Sequence, residues 1–317
     1  MITTFYNMNR LKKILILLLL IGFVNLSFAQ ENLVPNHSFE EVDSCNEWLK
    51  FMLLDYWYSP NEGTPDVFNA CIGPEDAYSS PVNRIGYQKP QEGEAYVAII
   101  AYGDGYNYRE YIAAQLIQTL KKDLFYKIEY HINAANINPF ESNNFGIGFA
   151  VDSALFPLYY QCFPTYILTD SRMVNDTLNW EKRALYYKAN GNERFIFFGN
   201  FSTDAATKAI RNSNPYDEQY FVVDNVSVIE LNLEVENVFT PNGDNINDLA
   251  FYYPDLLDIK CNVFNRWGER VKEVDTKKGW DGKDENGNKL HEGTYFYTLI
   301  GEEQHNIIAS GFIQLIE

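Results

Sequence analysis

The chain has 317 residues, with 25 Lys and Arg against 43 Asp and Glu, a formal net charge of −18 at pH 7, a hydrophobic fraction of 46% and an aromatic fraction of 16%. Such an acidic surface repels phosphate, which excludes nucleic acid and anionic membranes as partners while leaving divalent cations and neutral sugars open. The length fits two domains, and the apolar content is enough to give each a core.

Arg10, Lys12 and Lys13 precede an apolar run from Ile14 to Val24, and Ser27 and Ala29 in Ser27-Phe28-Ala29 offer small residues beyond it. This pattern predicts a secretory signal peptide over 1–29, cleaved near Ala29. The run is too short to cross a hydrocarbon layer of about 30 Å, which takes about twenty residues, and no cysteine follows it to accept lipid. A mature chain without a membrane span is expected. Three basic and no acidic residues leave with the leader, taking the charge from −18 to −21.

From 30 to 232 the chain reads as strands. YKIEYHINAAN (Tyr126–Asn136), FGIGFAVD (Phe145–Asp152), RALYYKA (Arg183–Ala189) and RFIFFGNF (Arg194–Phe201) are short and rich in aromatic and β-branched residues. No apolar period of 3.6 is sustained, so an all-β sandwich is expected rather than an α/β fold. Asn190-Gly191 predicts a hairpin joining the last two runs. Cys45 and Cys71 share the turn-rich early segment and form the expected disulfide, whereas Cys162 and Cys261 fall in different domains. With no CxxC spacing and four scattered histidines, the cysteines are not expected to bind metal.

Catalytic patterns are missing: there is no GxSxG, HExxH, GxxxxGK[ST] or GxGxxG. A glycosidase-type pair such as Glu92 with Glu110 is an open alternative, because sequence does not give their separation. For sugar recognition, Tyr102, Tyr106, Tyr108 and Arg109 surround the Gly103–Gly105 loop and supply rings together with a hydrogen-bond donor. Trp57, Tyr58, Asp66 and Tyr87 form a second group, with Trp57 assigned to the core.

The tail runs through FTPNGDNINDL (Phe239–Leu249), VFNRWGERV (Val263–Val271), WDGKDENGNKL (Trp280–Leu290), EGTYFYTLI (Glu292–Ile300) and GFIQLIE (Gly311–Glu317). Apolar alternation flanks turns at Asn242-Gly243 and Asn286-Gly287, which marks half-buried strands; the second dipeptide suits a primed hairpin turn. Asp284, Asn286 and Asn288 open like a calcium loop, but Lys289 and Tyr295 stand where that loop requires glycine and glutamate, which rejects an EF-hand. In order and spacing these blocks resemble the gliding-motility-associated C-terminal domain, the type B sorting domain of the type IX secretion system of Bacteroidota. The resemblance implies a small Ig-like β-sandwich over 233–317, export to the cell surface or beyond, and the secretion machinery as a partner. Two departures stand out: Asn245 replaces a usual glycine, and Glu317 replaces a usual basic residue.

In the front half, NLVPNHSFEE from Asn32 and YFVVDNVSVIEL (Tyr220–Leu231) resemble the first and last strands that bracket galactose-binding-like jelly rolls. TPDVFNAC, GYQKPQEGEAYVAIIAY and YREYIAAQL lie between them. The resemblance implies a jelly-roll β-sandwich and a structural Ca²⁺ between Glu40 and Asp224; in the alternative reading, Glu40 caps an edge and Asp224 accepts backbone hydrogen bonds. The function expected is a non-enzymatic secreted or cell-surface protein that binds glycans or adheres. A polysaccharide-acting hydrolase and a protein-binding module of a surface assembly are the alternatives.

Overall fold

The computed structural model describes residues 31–45, 54–103, 107–153, 162–231, 233, 235–256, 258–302 and 306–316. The expected signal peptide and Tyr106 lie outside them. Among the described residues there is no α-helix, and none is long and apolar enough to cross a membrane. The protein is all-β.

In chain order the strands are β1 (Trp57–Tyr58), β2 (Asp66–Asn69), β3 (Val82–Asn83), β4 (Gly86–Tyr87), β5 (Ala95–Gly103), β6 (Ile112–Gln115) and β7 (Phe125–Ala134). They continue as β8 (Phe140–Ser142), β9 (Phe145–Ala150), β10 (Tyr166–Asp170), β11 (Glu181–Lys188), β12 (Phe195–Gly199), β13 (Ala209–Arg211) and β14 (Glu218–Glu230). The tail contributes β15 (Val238–Phe239), β16 (Ile259–Phe264), β17 (Arg270–Asp275), β18 (Gly293–Gly301) and β19 (Ile307–Leu315).

Two antiparallel five-stranded sheets, ordered β1-β6-β12-β9-β10 and β11-β7-β14-β5-β2, face each other. Alternation along each strand builds the layer between them. Val97, Ile99 and Ala101 of β5, Ile128, Tyr130 and Ile132 of β7, and Ile196 and Phe198 of β12 all point inward and are buried. Trp57 is part of this core and donates its indole N–H to the Asn36 carbonyl.

The two bracketing segments meet. Leu33 N–H donates to Val228 O, and the Asn32 carboxamide exchanges bonds with Val226 O and Val228 N. The first segment is a series of turns alongside β14 rather than a regular strand.

The hairpin expected at Asn190-Gly191 is not formed, because β11 pairs with β7 while β12 pairs with β6 and β9 in the other sheet. Glu193 explains the corner. Its carboxylate accepts the N–H groups of Asn190, Gly191 and Asn192 together with the Tyr187 hydroxyl, and so rolls the chain from one sheet to the other.

The tail forms one five-stranded sheet, β15-β19-β18-β16-β17, in which β15 and β19 are parallel. Its inner face carries Cys261, Val263, Tyr297 and Leu299 and is closed by Phe239 of β15 and by loops bearing Phe251 and Trp280. The same apolar cluster takes in Ala184 and Tyr186 of β11 and the flank of Phe125, so the tail sits on the outer side of the front sandwich. Arg172 Nη1 bridges to Asp258 at 2.9 Å, and Asn306 donates to Tyr186 O.

Candidate functional site

On β5 the residues that turn away from the core are Tyr96, Ala98 and Ile100, and Phe68, Tyr220 and Val222 join them from neighbouring strands. Segment 70–90 lies across this outer face and lays Tyr78 and Ile85 onto it. Arg84, from the turn between β3 and β4, sits between two rings: its Cζ is 5.3 Å from the centre of Tyr78 and 5.6 Å from that of Tyr220. Its Nη2 bonds the Asp66 carboxylate, while the side chain stays 38% exposed. The remaining guanidinium N–H groups have no protein acceptor among the described residues.

Asp66, 8% exposed, is raised above the usual carboxylate range by burial, with Arg84 opposing. Next to it Glu110 is buried, and its carboxylate accepts Ile100 N–H on one oxygen and Thr64 N–H and the Tyr108 hydroxyl on the other. Burial pushes Glu110 up to about 7 against those bonds, with Asp66 adding to the rise. Tyr108 and Glu218 are half-buried beside this group. The result is a shelf of phenol rings around a partly exposed arginine, with the carboxylates as its floor.

Of the residues expected to bind sugar, Tyr108 borders the shelf, whereas Tyr102 and Arg109 are buried. Arg109 lies 5.5 Å from the Tyr102 ring centre, and its Nη atoms are committed to Asp204, Tyr108 O and Ser202 O. It ties loops together and cannot reach a ligand. Asp66 belongs to the shelf, while Tyr87 is exposed on β4 and Tyr58 pairs with Phe195. The shelf's key residue, Arg84, was missed because nothing in NRIGYQ marks an arginine flanked by rings that lie far off in sequence.

Glu92 and Glu110 are not brought together. Glu92 is near His37 and Asp224, at the start of β5, while Glu110 bonds Ile100, about 17 Å farther along at 3.4 Å per residue.

Glu40 and Asp224 do converge on loop 91–95. Asp224 accepts Gln91, Glu92 and Asn225 N–H, and Glu40 Oε1 accepts Glu94 and Ala95 N–H, each of these two at 2.9 Å. Gly93, at φ 64°, makes this wrap possible, since a Cβ there would lie 2.2 Å from Glu40 Oε1. Burial pushes Asp224 up to about 7, and Glu40 adds to the rise. Each carboxylate keeps lone pairs beyond these amide bonds, and an all-oxygen set suits Ca²⁺ rather than a softer metal. No group of three or more His, Cys, Asp or Glu gathers among the described residues, so backbone carbonyls would have to complete such a site.

Cys45 and Cys71 are joined, with Cα atoms 6.0 Å apart. Cys162 and Cys261 are free and buried, and burial pushes the Cys162 thiol up to about 12.

Residues 233–315 match the CHU_C Type IX secretion signal domain, so the chain carries a label for export to the cell surface or the extracellular space. No curated protein matches the sequence. Among solved structures, the CBM22-1 xylan-binding domain of Paenibacillus barcinonensis Xyn10C aligns at 10% identity over 65% of this chain and 98% of its own, with a TM-score of 0.37. The adhesin domain of Epf from Streptococcus pyogenes aligns at 10% identity over 90% and 97%, with a TM-score of 0.27. A CBM4 structure aligns at 12% identity over 62% and 99%, with a TM-score of 0.30.

Proposed function

We propose that the chain is an exported, non-enzymatic binding protein whose front sandwich captures a glycan on the shelf of Tyr78, Arg84, Tyr108 and Glu218. One observation carries this reading: Arg84 is fixed by two rings and a buried carboxylate, yet its side chain stays 38% exposed beside a half-buried phenol. Sugars are held by that combination of flat apolar faces and directed donors. A shelf of this kind binds modestly per site, so several copies displayed together supply the avidity.

Asp66 and Glu110 serve the scaffold in this reading, since their oxygens are taken by Arg84 and by backbone and phenol donors. The proposal includes a calcium ion at Glu40 and Asp224 that clips loop 91–95 to the ends of the sandwich. A glycan array probed with the full chain and with Arg84→Ala tests the ligand: the parent binds, and the variant loses at least about tenfold, the effect of removing one anchoring side chain. Equal binding by both overturns the site, and release of reducing sugar from a polysaccharide overturns the non-enzymatic assignment. Calcium is tested by a rise in thermal midpoint that Asp224→Asn abolishes.

A further inference from the structure

The outward face of the tail sheet carries an aromatic row unlike anything its core requires. Phe264 of β16 lies opposite Phe296 of β18, which lies opposite Phe312 of β19, so three rings cross three strands side by side. Phe296 and Phe312 are each 47% exposed, and Phe264 is half-buried. Polar Asn262, Thr298 and Ser310 form the next row. Immediately after Phe264 comes a tight hairpin tip bearing Trp267, 71% exposed, with the Arg266 guanidinium 4.5 Å from its ring centre.

That tip is held rigidly. Asn265 Oδ1 accepts the N–H groups of Trp267 and Glu269, Asn265 Nδ2 donates to Glu269 Oε2, and backbone bonds join Asn265 with Gly268 and Glu269. Arg266 has no carboxylate partner among the described residues, whereas Lys260, Arg270 and Lys272 on the adjoining strands are each paired. An exposed indole with an unpaired arginine, on a locked turn beside three phenylalanines, combines the residue types that anchor protein interfaces. The unpaired cation, on a chain of net charge −18, calls for acidic complementarity in whatever covers it.

We propose that the Arg266–Trp267 tip and the Phe264–Phe296–Phe312 row form one docking face for a protein of the export route, which offers an apolar pocket to the indole and a carboxylate to Arg266. This rests on residues 233–315 acting as the secretion signal. The row lies away from the Asp258 and Asn306 contacts with the front sandwich, so the docked tail leaves it open.

The test expresses the full chain in a host with a type IX system and compares exported with cell-retained protein. The parent is set beside a 233–317 deletion, Trp267→Ala, Arg266→Glu, the Phe296→Ser/Phe312→Ser double variant, Trp267→Phe, and Leu178→Ser as a control at a residue 77% exposed on the front sandwich. Expected are loss of export on deletion and a fall of about tenfold or more for Trp267→Ala, Arg266→Glu and the double variant. Trp267→Phe and Leu178→Ser should be exported normally, and the thermal midpoints of the purified variants should match the parent.

Export abolished by the deletion but unchanged in all three face variants overturns this face and leaves the signal reading standing. Export that survives the deletion overturns both. Normal export with lost retention on the cell would assign the face to a surface partner and also overturn the proposal.

Discussion

At the scale of single residues, buried charge sets the pH response. Without bound calcium, Glu110 and Asp224 are raised to about 7 in the fold from ordinary values of 4.5 and 3.8, so the folded protein binds more protons than the unfolded chain between those limits. Their contribution is full below the ordinary values and is lost as pH rises through 7. Asp170 acts in the opposite sense. Burial alone would raise it, but the bonds from Arg172 and the charge of Arg183 hold it below the usual range, so its contribution is present above 3.8 and lost in acid. In a buffer with a calcium chelator, thermal midpoints followed by circular dichroism are therefore expected to peak in mild acid, falling towards pH 8 on one side and below about pH 4 on the other. A midpoint that climbs steadily to pH 8 contradicts the raised carboxyls.

The Asp170 group also predicts a mutational cost. Asp170 and Arg183 are fully buried, and Asp170 accepts the Tyr130 hydroxyl at 2.6 Å and Arg172 Nη2 at 2.7 Å. Asp170→Asn removes the carboxylate that Arg172 and Arg183 share, leaves Arg183 only the half-exposed Glu181 at 2.7 Å, and should cost about 3 kcal/mol in chemical denaturation. A loss below 1 kcal/mol would mean that water reaches the group. None of this was readable beforehand: Asp170, Arg172 and Arg183 look like ordinary surface charges until β10 and β11 are placed.

At the scale of elements, aromatic and β-branched content announced β7, β9, β11 and β12, of which β9 is buried on both faces, while apolar alternation announced β18, since a strand with one buried face writes its period into the chain. Asn245, where a glycine is usual in related tails, takes φ 65°, the left-handed geometry that asparagine tolerates. In the tail turn only Gly287 has positive φ, so Asn286-Gly287 is not a primed turn; Asp284 caps it by accepting Asn286 and Asn288 N–H. Turn dipeptides mark where a chain reverses, while the partner strand is chosen by packing, which is why Asn190-Gly191 joins two sheets instead of two neighbours. The Cys45–Cys71 bridge closes a separation of 26 residues around β1 and β2. Cys71→Ser should lower stability by about 2–4 kcal/mol, and reductant should reproduce the loss in the parent. An unchanged denaturation midpoint under reductant would show that the bridge is idle.

At the scale of the molecule, the tail is packed rather than tethered. Ala184, Tyr186 and Phe125 lose their cover if 233–317 is removed, and Arg172 loses Asp258. The full chain is expected to melt in one transition, and the front sandwich alone to melt earlier and bind a hydrophobic dye. Two separate transitions in calorimetry of the full chain would show that the halves are energetically independent. The export label was legible because its blocks are local and ordered in sequence, while the shelf was not, because Asp66, Arg84, Tyr108 and Tyr220 meet only after four segments fold together.

The route from sandwich to tail runs through β14, thirteen residues long and bonded on one side to β5 and on the other to β7. If the tail is held while a ligand is dragged away, tension enters at the end of this middle strand and pulls along its length. The ladders on both flanks then resist in shear, so many hydrogen bonds must rupture together instead of one after another. Lifetime under load is set by that unfolding barrier and not by equilibrium stability.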